Sequence, residues 1–125
     1  MNFLIVAIGG GIGAALRYGV NVGSPKLFGA DYPWHTLIVN VAGCFVMGLL
    51  TELMALKLNV SQEWRLFLTT GILGGFTTFS AFALDFALMA ERREFIAAGG
   101  YAVASVVLSI AACFLGLAVV RSILA

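Results

Sequence analysis

The chain has 125 residues, 62% of them hydrophobic and only 10% charged, with a formal net charge of +1 and a mean hydropathy of +1.06. These values exclude an ordinary soluble domain, and the near-neutral balance leaves no basic patch for nucleic acid. What remains is an integral membrane protein whose expected partners are lipid, a second copy of itself and something small.

Charged residues mark out the spans. The intervals 1–16, 32–51, 66–84 and 95–120 carry no charge, and each approaches or exceeds the roughly 17–25 residues with which a helix crosses about 30 Å of hydrocarbon. They predict an all-α fold of four transmembrane helices, at about 2–22, 34–56, 63–90 and 95–121, in a single domain over residues 1–125. The first interval lacks the basic start of a signal peptide and runs on through Arg17, so it reads as a retained helix.

Helix 1 contains Gly9-Gly10-Gly11-Ile12-Gly13-Ala14, which fits a loose G-x-G-x-x-A pattern, with Asp31 downstream. A dinucleotide site needs a strand, a turn and a βαβ unit around such glycines; a hydrophobic span surrounds these, and close helix packing accounts for them better. Gly9/Gly13, Gly19/Gly23 and Gly71/Gly75 all have the four-residue spacing that lets helices approach. Arg17 reads as a snorkelling interfacial anchor in preference to an anion attractor. A polar loop from Gly23 to Pro33, with Ser24-Pro25 and Asp31, is expected before helix 2.

Pro33 and Trp34 suit the opening of helix 2 at an interface. Nothing supports a metal role for His35 beside them. Asn40, near the centre of the span, must face protein or a polar pathway, because its unpaired amide is costly in lipid. Cys44 and Cys113 read as small apolar residues, with no soft ligand at metal spacing. Beyond Asn59, Ser61 can cap helix 3, with Glu63 favourable to its N-terminus.

Helix 3 carries Gly71-Ile-Leu-Gly-Gly-Phe-Thr-Thr-Phe-Ser80 in its middle. The glycines weaken the helix where lipid tolerates no unpaired backbone, while Thr77, Thr78 and Ser80 bring replacement hydrogen-bonding groups. A break near Gly74–Gly75 is therefore expected, of the kind tolerated when it is buried in protein or lines a cavity. Phe79 and Phe82 share a face beyond it, either as packing or as ring edges, which are positive, turned toward an anion. Asp85, one turn further, reads equally as a solvated residue. On helix 4, Tyr101, Ser105 and Ser109 recur every fourth residue and form one polar stripe.

Even crossings place both termini on one side with the 2–3 loop. That side collects Lys57, Arg65 and Arg121; the other collects Arg17, Lys26, Arg92 and Arg93. With almost no Lys/Arg bias to orient it, the chain is expected to insert both ways round, and two opposed copies would make an antiparallel dimer. A four-helix monomer encloses little interior, so a transport function calls for association.

Gly-Gly-Gly-Ile-Gly-Ala-Ala-Leu-Arg-Tyr in helix 1, Thr-Leu-Ile-Val-Asn-Val-Ala-Gly in helix 2 and Thr-Thr-Gly-Ile-Leu-Gly-Gly-Phe-Thr-Thr-Phe-Ser-Ala-Phe in helix 3 together resemble the Fluc/CrcB fluoride channel family in order, spacing and length. The resemblance implies an antiparallel, dual-topology homodimer in the bacterial inner membrane, with two pores that export fluoride passively. It implies a pore of Asn40, Phe79, Ser80, Phe82, Tyr101, Ser105 and Ser109, with Asp85 at the acidic position near its end. It also implies a structural sodium ion at the dimer axis, held by the Gly74 and Thr77 backbone carbonyls. Ala81 stands where many relatives have Thr. Two other readings compete: a proton-coupled multidrug antiporter of similar size, for which helix 1 lacks the intramembrane carboxylate, and a structural subunit, which leaves Asn40 and the helix 3 break unexplained.

Overall fold

A computed structural model describes residues 1–29, 32–56 and 59–124. All of its secondary structure is helical: α1 (Asn2–Phe28), α2 (Trp34–Leu56), α3 (Gln62–Arg65), a π-helical segment (Leu66–Leu73), α4 (Gly74–Phe76), α5 (Phe79–Glu91) and α6 (Phe95–Leu124). Four stretches are long and apolar enough to cross a membrane: Asn2–Leu27, Trp34–Leu56, Gln62–Glu91 and Phe95–Leu124. The chain is an all-helical, multi-pass membrane protein.

Helix ends differ from expectation where the interface absorbs extra turns. α1 continues beyond Val22 through Ser24-Pro25 to Phe28 and stops at Gly29, whose φ of 86° costs glycine nothing. Pro25 removes one N–H from the ladder. At ~1.5 Å per residue α1 outruns the hydrocarbon, so water can satisfy the carbonyl released there. α6 likewise runs to Leu124. Ser61 caps α3 as expected, its Oγ accepting from the Trp64 N–H at 3.4 Å. Asp31 and Lys57 lie outside the described residues.

Two helix pairs build the protomer: α2 runs along α6, and α1 runs along the π-helical segment and α4. Glycines permit both contacts. A methyl group on Gly48 would collide with the Cys113 carbonyl, and one on Gly116 with the Phe45 carbonyl; Gly9 and Gly71 meet backbone to backbone, as do Gly10 and Gly75. Gly19 and Gly23 have nothing within 4 Å, so their four-residue spacing serves no contact inside the protomer.

At one end, Arg121 Nε meets the Glu52 carboxylate at 3.0 Å and ties α6 to α2. At the other, Leu37, Met89, Ala98 and Tyr101 form a buried cluster that joins α2, α5 and α6. Much of the remaining surface is apolar and exposed, including Phe3, Ile96 and Phe114, as expected where lipid or another helix replaces water.

Candidate functional site

Between α4 and α5 the backbone leaves helical geometry for two residues, Thr77 (φ −83°, ψ 156°) and Thr78 (φ −152°, ψ 123°). Every polar group exposed by that excursion needs a partner, because lipid offers none. Asn40 Nδ2 donates to the Thr78 carbonyl at 2.9 Å, and the Thr78 N–H donates to Asn40 Oδ1 at 2.8 Å. The Thr78 hydroxyl caps α5 by accepting from the Ala81 N–H at 3.2 Å, while the Thr77 hydroxyl donates back to the Leu73 carbonyl at 2.9 Å.

The extended residues thus lie three positions beyond the expected interruption. Gly74 is helical, with φ −63° and ψ −37°. Gly71 and Gly75 serve the approach of α1 instead, and the chain departs from the helix where the Asn40 amide can receive its backbone.

Beside this excursion is an open groove of about 300 Å³, lined by Asn40 and Cys44 of α2, Thr77, Thr78, Phe79 and Phe82, and Ser105, Val106, Ser109 and Ile110 of α6. The Phe79 and Phe82 rings lie 5.4 Å apart at 48°, and Phe82 lies 5.1 Å from the Tyr101 ring at 43°. The Ser105 hydroxyl oxygen is buried without a hydrogen-bond partner, and the Ser109 hydroxyl, also buried, meets the Cys44 thiol. A buried hydroxyl without a partner is costly, so this wall is chemically suited to a small polar occupant.

Beyond Phe82, the Asp85 Oδ2 accepts from the Thr36 hydroxyl at 2.8 Å and from the Tyr101 hydroxyl at 3.0 Å. Tyr101 is fully buried, so the stripe from Tyr101 to Ser109 runs from this carboxylate along the groove. Ser80 departs from the group: it is exposed, absent from the groove lining, and its hydroxyl sits 3.3 Å from that of Thr78. Arg17 differs as well. Its Nε donates to the Gly75 carbonyl at 3.2 Å, so it braces α1 against α4.

Among the described residues no cluster of three or more His, Cys, Asp or Glu could hold a metal ion. A hard cation would have to use carbonyls. The Gly74 carbonyl fits: its usual helical donor, the Thr78 N–H, is bound to Asn40. The Thr77 carbonyl fits for a similar reason, because the Ala81 N–H is bound to the Thr78 hydroxyl.

Three contributors escape a residue-by-residue reading: Thr36, Cys44 and the backbone of Thr78. A signal for the first two exists, since Thr36, Asn40 and Cys44 recur every fourth residue and form a polar stripe on α2 opposite that of α6.

The family described as CrcB-like protein, Camphor Resistance (CrcB), matches residues 4–117. The chain is 56% identical over 120 residues to a protein of Rhizobium leguminosarum bv. trifolii (strain WSM2304) named Fluoride-specific ion channel FluC, covering 96% of each chain. It is 52% identical over 123 residues to the protein of that name from Agrobacterium fabrum (strain C58 / ATCC 33970), covering 98% of each. It is 50% identical over 121 residues to Fluoride-specific ion channel FluC 2 of Nitrobacter hamburgensis (strain DSM 10229 / NCIMB 13809 / X14), covering 97% of this chain and 98% of the relative. With matches of this extent along a chain of four apolar, membrane-length helices, the protein belongs to the CrcB-like family.

Proposed function

We propose that this chain is a fluoride-selective channel and not an enzyme, passing fluoride passively through two pores of an antiparallel homodimer in the bacterial inner membrane. One observation carries the reading: the buried, unpartnered hydroxyl of Ser105, with that of Ser109 beside the Cys44 thiol, shares a groove with the neighbouring rings of Phe79 and Phe82. Hydroxyl donors and positive ring edges can replace the water around a small anion without a full charge that would hold it too tightly to leave. The names of the full-length relatives support the same ion.

The groove is open along one side in a single protomer, and a second copy would close it. Opposed insertion of that copy agrees with the nearly even Lys/Arg distribution. The two extended threonines serve as the midspan break of helix 3, and the Gly74 and Thr77 carbonyls of two protomers would supply four oxygens to a structural sodium ion on the dimer axis. A proton-coupled carrier has less support: Glu52 is paired with Arg121, and Asp85 is held by two hydroxyls.

The test is ion efflux from liposomes containing the purified protein, with the potential set by potassium and both halides followed by electrode. Fluoride should leave rapidly, chloride negligibly, and no proton gradient should be needed. Equal chloride and fluoride rates would overturn the reading.

A further inference from the structure

The two cysteines of the chain are far apart in the sequence, and the α2–α6 contact brings them together. Facing residues along that contact keep one register. The Thr36 and Tyr101 hydroxyls share Asp85 Oδ2, the Cys44 thiol meets the Ser109 hydroxyl, and Gly48 packs on the Cys113 carbonyl. α2 and α6 therefore run parallel, and Cys113 continues the α6 stripe one turn beyond Ser109. It stands opposite a residue that has no side chain. On a helix the Cα–Cβ bond tilts toward the N-terminus, so the Cys113 side chain leans back past Gly48 toward the level of Cys44. It is near enough to act on the Cys44 thiol electrostatically. Both thiols are free and half-buried.

The groove reaches this pair, because Cys44 belongs to its wall. The same wall holds Ser105, only 7% exposed and with an unpartnered hydroxyl, so the space beside the thiols is suited to an occupant. Two sulfurs narrow its chemistry. A hard cation gains little from thiolates, and structural zinc asks for four ligands. A monovalent soft ion between two thiolates would leave a net negative charge among apolar helices, where charge is costly. A soft divalent ion of linear coordination leaves none.

We propose that Cys44 and Cys113 form a two-thiol site for a soft divalent metal ion, represented by mercuric ion, whose binding closes the groove. Mercuric chloride and the two thiols give an S–Hg–S bridge and two molecules of HCl. Two S–H and two Hg–Cl bonds break, two S–Hg bonds form, and no atom changes oxidation state. The bridged metal takes space beside Ser109 and fixes the Cys44 side chain, which now meets the Ser109 hydroxyl. The closing step rests on the conducting reading above; the binding step does not.

Mercuric chloride is the probe, added at about one equivalent per chain to the full-length protein. In detergent the unfolding midpoint should rise by several degrees, because a bridge between α2 and α6 constrains the unfolded chain as a disulfide does. Cys44→Ser and Cys113→Ser should each abolish the rise, since a single thiol ties nothing together. A rise in either single variant, or none in the natural sequence, would overturn the paired site. In liposomes, fluoride efflux should fall to the level of protein-free vesicles and return with excess dithiothreitol, a dithiol that competes for the metal. Each variant is compared with its own untreated rate. Full inhibition persisting in Cys113→Ser would assign the effect to a lone adduct on Cys44 and defeat the bridge. A midpoint rise with undiminished efflux would overturn the closing role and leave the metal site standing. A midpoint rise in protein that never passes fluoride would sustain the metal site and sink the channel reading.

Discussion

Asn40 and Thr78 exchange two hydrogen bonds across α2 and the α4–α5 junction, at 2.9 and 2.8 Å, so one side chain satisfies both backbone groups of an extended residue inside a membrane span. This amide does structural work that no apolar residue could do. Asn40→Ala should leave a donor and an acceptor unpaired, at about 1–3 kcal/mol each. Thermal unfolding of the detergent-solubilised protein should show a clear loss of stability, larger than for Cys44→Ala one turn away. Equal midpoints for the two variants would mean that the Thr78 backbone finds other partners.

The α2–α6 contact makes a second, independent prediction. Gly48 and Gly116 pack directly on the opposing backbone, whereas Gly99 and Gly100 have nothing within 4 Å. Gly48→Ala should cost about 1–3 kcal/mol through overpacking, and Gly99→Ala should be neutral or slightly favourable because alanine suits a helix better. A thermal scan of the two variants separates these outcomes, and equal behaviour would contradict the packing.

The spans were legible because lipid makes charge costly: long uncharged runs mark each helix, and the charges that do fall inside α1 and α5, Arg17 and Asp85, are hydrogen-bonded to other helices. The α6 stripe was legible for a similar reason, since three hydroxyl-bearing residues at four-residue spacing must share a face. The position of the extended backbone was not. Local propensity directs attention to Gly74 and Gly75, but a glycine is equally useful where a neighbouring helix passes close, and only the tertiary placement of α1 decides between those uses. The placement of Arg17 was hidden likewise. Its partner is a backbone carbonyl, which has no sequence signature.

Ser105 separates stability from conduction. Its hydroxyl is buried and unpartnered, so Ser105→Ala removes a group that contributes nothing to the folded protomer. The substitution should leave the unfolding midpoint unchanged or raise it slightly, by up to about 1 kcal/mol of recovered desolvation. Fluoride efflux should nonetheless fall several-fold, because a donor in the groove is lost. Loss of stability would show that the hydroxyl has a partner after all, and undiminished efflux would remove Ser105 from the pathway.

Phe79 and Phe82 differ in a way that lets the ring chemistry be tested cleanly. Phe82 is packed against Tyr101 and the buried cluster of α2, α5 and α6, so replacing it disturbs the fold as well as the groove. Phe79 is 77% exposed in the protomer, so Phe79→Ile retains an apolar side chain at little cost to protomer stability, while it removes the positive ring edge. Fluoride efflux should fall at least about tenfold, the loss of about 1.4 kcal/mol of ion stabilisation along the path. Size-exclusion chromatography of the variant should be unchanged. Full efflux would show that Phe79 serves only as an apolar wall, whereas an altered elution volume would assign its ring to contact with a second copy.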